Sequence, residues 1–174
     1  MATWNLDAAH SEIEFKVRHM MISTVKGQFT DFDISLESDS EDLSSAKVAV
    51  GIDVNSINTN NSQRDEHLKS GDFFNVEEFG KITFVSTSIA KKSSDEFSIT
   101  GDLTIKGITK SQTFKVELGG IAKDPWGNAK VGYTVIGTIN RADFGLTWNA
   151  ALETGGVMVS EEVKFTADIQ FVKA

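Results

Sequence analysis

Apolar residues recur at every second position along most of this chain, and that period limits its fold more than any other feature. Ile13, Phe15 and Val17 alternate with Glu12, Glu14, Lys16 and Arg18, and Val48, Val50, Ile52 and Val54 repeat the spacing. Phe97, Ile99, Leu103 and Ile105 oppose Ser98, Thr100, Asp102, Thr104 and Lys106. Near the C-terminus Val163, Phe165, Ala167, Ile169 and Phe171 oppose Lys164, Thr166, Asp168 and Gln170. Successive side chains of a strand point to opposite faces, so each run makes a ribbon with one apolar and one wet face. Parallel strands, buried on both faces, read instead as continuous apolar runs, so the pattern predicts an antiparallel sheet. Phe32, Ile34 and Leu36, then Ile82 and Phe84, then Phe114, Val116 and Leu118, then Val131, Tyr133 and Val135 supply further runs. Phe29 is out of phase with Phe32, which predicts a bulge near Thr30-Asp31.

Turn chemistry separates the runs. Lys106-Gly107-Ile108-Thr109 joins two closely spaced strands, and Asp124-Pro125-Trp126-Gly127 combines the single proline with a glycine. Glu153-Thr154-Gly155-Gly156 precedes the last strand, and Ser38 to Ser45 is a polar, acidic loop. Neither a composition shift nor a linker divides the chain, so residues 1–174 read as a single domain. About eight or more short-connected strands make an up-and-down barrel or a sandwich. Gly101 and Gly137 fall on the apolar face, where they leave room a filled core would occupy. The runs over 25–37 and 157–172 are long; about thirteen residues at ~3.3 Å each span roughly 40 Å before tilt. Both features favour a hollow barrel, although glycines in strands also mark bulges.

Two stretches break the alternation. Arg64-Asp65-Glu66-His67-Leu68-Lys69-Ser70-Gly71-Asp72-Phe73-Phe74 packs its charges ahead of two phenylalanines and predicts a short helix near 63–69. Helical spacing puts Arg64, His67 and Leu68 on one face, while Asp65 and His67 point apart. The segment is either a cap on one barrel end or an Arg/His pair facing a polar or anionic group at the barrel mouth. Ile139-Asn140-Arg141-Ala142-Asp143-Phe144-Gly145-Leu146-Thr147-Trp148-Asn149 is the second: a bulged loop held by Arg141 and Asp143, or an aromatic pocket rim. As the cationic or titratable groups of these stretches, Arg64, His67 and Arg141 are the candidates for binding a ligand's head group. Phe15, Val17, Phe32, Val50, Ile52, Phe84, Leu103, Ile105, Trp148 and Phe165 are the candidates for lining an apolar tunnel.

Composition removes other functions. A net charge of −8 without a basic, aromatic-interleaved cluster disfavours nucleic acid and anionic membranes as partners. The absence of cysteine removes disulfides, thiol catalysis and thiolate metal sites, and suits a reducing cytosol. The N-terminus shows no signal-peptide pattern and no apolar run is long enough for a membrane helix, so the expectation is a cytoplasmic protein without stable membrane insertion. His10, His19 and His67 show no metal-binding spacing, and there is no GxSxG elbow and no phosphate loop. No catalytic residue, metal or cofactor is expected.

Across nearly its whole length the chain resembles the YceI-like family of lipocalin-type proteins. The resemblance rests on Trp4-x-Leu6-Asp7-x-x-His10-Ser11-x-Ile13-x-Phe15-x-Val17-x-His19-Met20, then Gly27-x-Phe29, then Arg64-Asp65-x-His67-Leu68-Lys69-Ser70-x-Asp72-Phe73-Phe74. Ile82-Thr83-Phe84, Gly101-x-Leu103-Thr104-Ile105-x-Gly107-Ile108-Thr109 and Ile139-Asn140-Arg141-x-Asp143-Phe144-Gly145-Leu146-x-Trp148-Asn149 follow in order, and Leu152-Glu153-x-Gly155-Gly156-x-x-Val159 closes the set. Gly80 departs from the proline usual in that family. The resemblance implies an all-β, eight-stranded antiparallel up-and-down barrel, generally a homodimer, whose apolar pore holds an isoprenoid chain. Polyprenyl lipids, isoprenoid quinones or other amphiphilic lipids are the implied partners. A carrier or storage protein is therefore expected. Its rivals are an enzyme acting on an amphiphile's head group through His67, Asp65 or Arg141, and a filled-barrel dimeric interaction module.

Overall fold

The computed structural model describes residues 2–20, 22–38, 43–149 and 159–174. Its strands are β1 (Ala2–Leu6), β2 (Glu12–His19), β3 (Ser23–Phe29), β4 (Phe32–Ser38), β5 (Lys47–Asp53), β6 (Ile57–Asn58), β7 (Lys81–Lys91), β8 (Glu96–Ile105), β9 (Ile108–Lys123), β10 (Ala129–Asn140) and β11 (Val159–Lys173). Among the described residues a single α-helix, α1, covers Ser62–Lys69. Three of the barrel strands are broken in the middle, which is why eleven segments make an eight-stranded barrel. β1 and β2 form one strand interrupted by the 3-10 turn Ala8–His10. β3 and β4 form another, broken at the bulge position Thr30-Asp31, and the 3-10 turn Val54–Ser56 divides β5 from β6.

Every pairing is antiparallel, in the order β4-β5-β7-β8-β9-β10-β11, and β1 closes the barrel by pairing with both β11 and β4. β2 continues along β11 and carries β3 and β6 on its other side. The breaks are hydrogen-bonded. Ser11 donates its hydroxyl to the Asp7 carbonyl at 2.7 Å and accepts from the backbone N–H of Gln170 at 2.9 Å, bridging the gap in the ladder with β11. His10 contacts the Asp7 carboxylate at 2.9 Å and holds that carboxyl below its ordinary range against the opposing effect of burial.

The alternating face forms the interior. Phe97, Ile99, Leu103 and Ile105 of β8, and Ala167, Ile169 and Phe171 of β11, are all buried. The turn between β8 and β9 is tighter than the sequence suggested: Ile105 pairs directly with Ile108, leaving only Lys106 and Gly107 in the loop. Both have positive φ, 52° and 76°, the geometry of a two-residue hairpin that follows the strand twist. At the hairpin between β9 and β10, Asp124 Oδ1 accepts from the N–H groups of Trp126 and Asn128, each at 2.9 Å. The Glu153–Gly156 turn lies outside the described residues.

Candidate functional site

The barrel encloses a cavity of about 190 Å³. Its wall is drawn from β2, β3, β4, β5, β7, β8, β9, β10 and β11 together with Leu43, and among the described residues no charged side chain reaches it. Six of the ten residues expected to line a tunnel are there: Phe15, Val50, Ile52, Phe84, Leu103 and Phe165. Val17 and Trp148 line a second hollow, of about 380 Å³, at one end of the barrel. Phe32 and Ile105 line neither. They are the first residue of β4 and the last of β8; Ile105 is buried in the core and Phe32 packs against it. Three chamber residues were not among the expected lining: Phe114, a member of an apolar run, Phe29, read only as out of phase with Phe32, and Leu43, which falls in the polar loop Ser38 to Ser45.

The glycines on the apolar face do not leave empty space. A β-carbon on Gly101 would collide with the Phe84 ring, and one on Gly137 with the rings of Phe114 and Phe165. Gly27, the register partner of Phe15, is covered in the same way by the Phe15 ring. Without a β-carbon the strand surface becomes a flat bed, and a neighbouring ring lies down on it. The expected single tunnel is accordingly two hollows, with Phe15 alone contributing to the walls of both among the described residues.

The outer hollow is polar where α1 crosses it. Asn61 caps the helix by accepting the Arg64 N–H at 3.1 Å, which fixes the orientation of the first turn. Thr59, just before the helix and almost fully buried, ties two charges down. Asp65 accepts from its N–H at 2.9 Å and from its hydroxyl. Arg64 donates Nε to the Thr59 hydroxyl at 2.8 Å and Nη2 to its carbonyl at 2.7 Å. Nη1 of Arg64 has no partner among the described residues, and no carboxylate forms an ion pair with this guanidinium. A half-buried cation held rigidly on the wall, with one edge free, is a ready site for an acceptor or an anion. His67 and Leu68 share that wall, as the helical spacing predicted. His67 Nε2 contacts Asp72 Oδ2 at 2.9 Å, and its ring stands edge-on between Phe73 and Trp148, with centroids 5.1 and 4.8 Å away.

Arg141 does not join Arg64 and His67. It is only 5% exposed and lies behind the wall, donating to the carbonyls of Leu146 (2.6 Å), Trp148 (2.9 Å), Ser160 (2.9 Å) and Val159 (3.2 Å). Desolvation lowers its pKa, with the Glu161 charge opposing. Together with the reciprocal bonds between Asn149 and Val159, at 2.7 and 3.0 Å, it staples the Trp148 segment to the start of β11. The other histidines are dispersed: His19 lines the outer hollow and His10 is bound to Asp7. Among the described residues no cluster of His, Asp or Glu could hold a metal, and no helix is long and apolar enough to cross a membrane.

A closed eight-stranded antiparallel barrel with an apolar lumen and one helix laid over a polar mouth is a lipocalin-like barrel. The chain belongs to the YceI-like domain family, whose model matches residues 4–171. It is 49% identical over 172 residues to a UPF0312 protein of Staphylococcus aureus strain MSSA476, covering 98% of both chains. Among solved structures it superposes on BcnA of Burkholderia cenocepacia with a TM-score of 0.83, at 22% identity, covering 95% of this chain and 99% of that one. It superposes on a polyisoprenoid binding domain from Saccharophagus degradans with a TM-score of 0.75, at 13% identity, over 100% of each chain. At those identities the two likenesses show the fold.

Proposed function

We propose that this protein binds a long-chain isoprenoid lipid, of polyprenyl or isoprenoid quinone type, as a carrier or storage protein without covalent chemistry. The tail occupies the chamber and the head group sits in the mouth against Arg64 and His67. The observation that carries this reading is the pairing, among the described residues, of an uncharged chamber with a mouth whose guanidinium keeps a free edge. The described function of the Saccharophagus degradans neighbour supports it. Removing a prenyl tail from water is favourable by ~25 cal/mol per Å² of apolar surface, so affinity comes from the wall and selectivity from the mouth. Size agrees only if both hollows are used. The chamber alone, at about 190 Å³, falls below the roughly 300–1,000 Å³ of ordinary ligand pockets, whereas the two joined fall inside that range.

The residues that an enzymatic reading would need are otherwise engaged. Asp65 is bound to Thr59 and Arg141 to backbone carbonyls, leaving the His67–Asp72 pair and His19 as the acid–base candidates at the mouth among the described residues. We place the protein in the cytoplasm as a homodimer; exposed Val85, Ile121 and Ile136 supply outward apolar surface for a second copy to cover. Mass spectrometry of a solvent extract from the purified protein tests the binding reading. An isoprenoid retained in stoichiometric amount is the expected result. An extract without one, from protein that also fails to take up added polyprenyl phosphate, contradicts it, and chemical conversion of the lipid would point to the enzyme instead.

A further inference from the structure

The chamber wall carries a band of phenylalanine that reaches the mouth at Phe15. Phe84 and Phe114 have centroids 5.6 Å apart, Phe114 and Phe165 4.8 Å, and Phe15 and Phe29 5.5 Å. Phe165 and Phe15 are direct register partners on β11 and β2, which joins the two groups. One transverse row of the barrel therefore reads Gly27, Phe15, Phe165, Gly137 across β3, β2, β11 and β10. Each ring of the row lies on the adjacent glycine, where any β-carbon would displace it. Neither glycine has a positive φ, so neither is required by the backbone; what requires them is the ring. Phe15 and Phe165 remain only partly buried, as expected of side chains that face a hollow.

We infer that this row is a collar that sets the bore of the tunnel. Gly27 and Gly137 hold Phe15 and Phe165 flat against the wall so that a single acyclic prenyl chain passes from mouth to chamber. Phe15, the shared wall of both hollows, is the ring that the chain passes on its way from the mouth to the chamber. The inference rests on the lipid-binding reading and adds what that reading lacks, the residues that determine which chains can enter. A methyl group on either glycine pushes a ring toward the barrel axis and narrows the passage without touching the head-group site.

The test uses two fluorescent probes, dansyl-labelled geranylgeranyl phosphate, which must pass the collar, and dansyl-labelled dimethylallyl phosphate, which is short enough to stay in the mouth. Gly27→Ala should weaken the long probe by roughly tenfold or more, the scale of an overpacking penalty, and leave the short probe unchanged. Adding Phe15→Leu to Gly27→Ala should restore the long probe, and Phe15→Leu alone should speed its entry. If Gly27→Ala fails to fold, as read by circular dichroism, Gly137→Ala with and without Phe165→Leu decides the question in the same way. Absence of long-probe binding by the unaltered protein would overturn the lipid reading and the collar with it. Long-probe binding that the glycine variants leave unchanged, or that the leucine variants do not restore, overturns the collar alone.

Discussion

The two arginines of the non-alternating stretches look alike in the sequence and do opposite work. Arg64 is anchored through Nε and Nη2 and, among the described residues, leaves Nη1 without a partner at the mouth. Arg64→Ala should weaken binding of a polyprenyl phosphate by about 10- to 100-fold, corresponding to the roughly 1.5–3 kcal/mol of a hydrogen bond to a charged group. A matched prenyl hydrocarbon, measured by the same titration, should bind as before. Arg141 spends its donors on four carbonyls and should show no such selectivity. Arg141→Met should lower stability by about 3 kcal/mol, because buried carbonyls lose their donors, and chemical denaturation measures this. The difference between the two arginines was not legible in the sequence. Arg64 sits five residues from its partner Thr59, within one local motif, whereas the acceptors of Arg141 are backbone oxygens as far away as Ser160. A backbone oxygen is present at every residue and leaves no pattern to read. Gly101 and Gly137 misled for a related reason: a missing side chain looks like space until the ring that fills it is located. Gly101→Ala differs from the collar variants, since its β-carbon meets the Val85 carbonyl oxygen as well as a ring. It should destabilise the barrel by about 1–3 kcal/mol with no leucine rescue, as thermal unfolding would show.

At the scale of elements, the strands were legible because alternation is imposed by the pleat itself and survives any tertiary arrangement. The bulge at Thr30-Asp31 and the helix near 63–69 were legible for the same reason, as interruptions of a strong period. The joining of β1 with β2 and of β5 with β6 into single barrel strands was not, since it depends on partners across the barrel. The junction at Asp7 and His10 has a pH signature. Native Asp7 binds its proton less readily than the unfolded chain does, so the stability it contributes is present above the ordinary carboxylate range and is lost as pH falls through the lower native value. His10→Ala should therefore reduce stability near neutral pH by under about 1 kcal/mol, with the difference vanishing in acid unfolding below the carboxylate range. The helix α1 is short and buries none of its residues fully; it is held by Leu68 and the following Phe73 and Phe74 and by the bonds of Arg64 and Asp65 to Thr59. It is the element best suited to move when a ligand enters. The chain has no cysteine, so cysteines placed at Gln63 and Val25, both on the mouth wall, can be bridged selectively by a bifunctional thiol reagent. Bridging should slow exchange of a bound lipid by an order of magnitude or more while leaving the β circular dichroism intact. Unchanged exchange would put the entrance at another point of the barrel.

The whole molecule divides its labour by face and by end. Among the described residues the inward side chains make an uncharged chamber, and the helix α1 with the preceding Thr59 brings polar groups to one mouth. Affinity that arises from apolar burial grows with chain length, so a homologous series of polyprenyl phosphates should bind more tightly with each added unit until the chamber is full. The most direct measurement is a crystal structure of the protein grown with geranylgeranyl phosphate. Density for the chain running past Phe15 and Phe165 into the space between Val50, Phe84 and Leu103, with the phosphate on Nη1 of Arg64, is the predicted result. A chamber closed by its own side chains, with the lipid absent or lying on the outer surface, would contradict it.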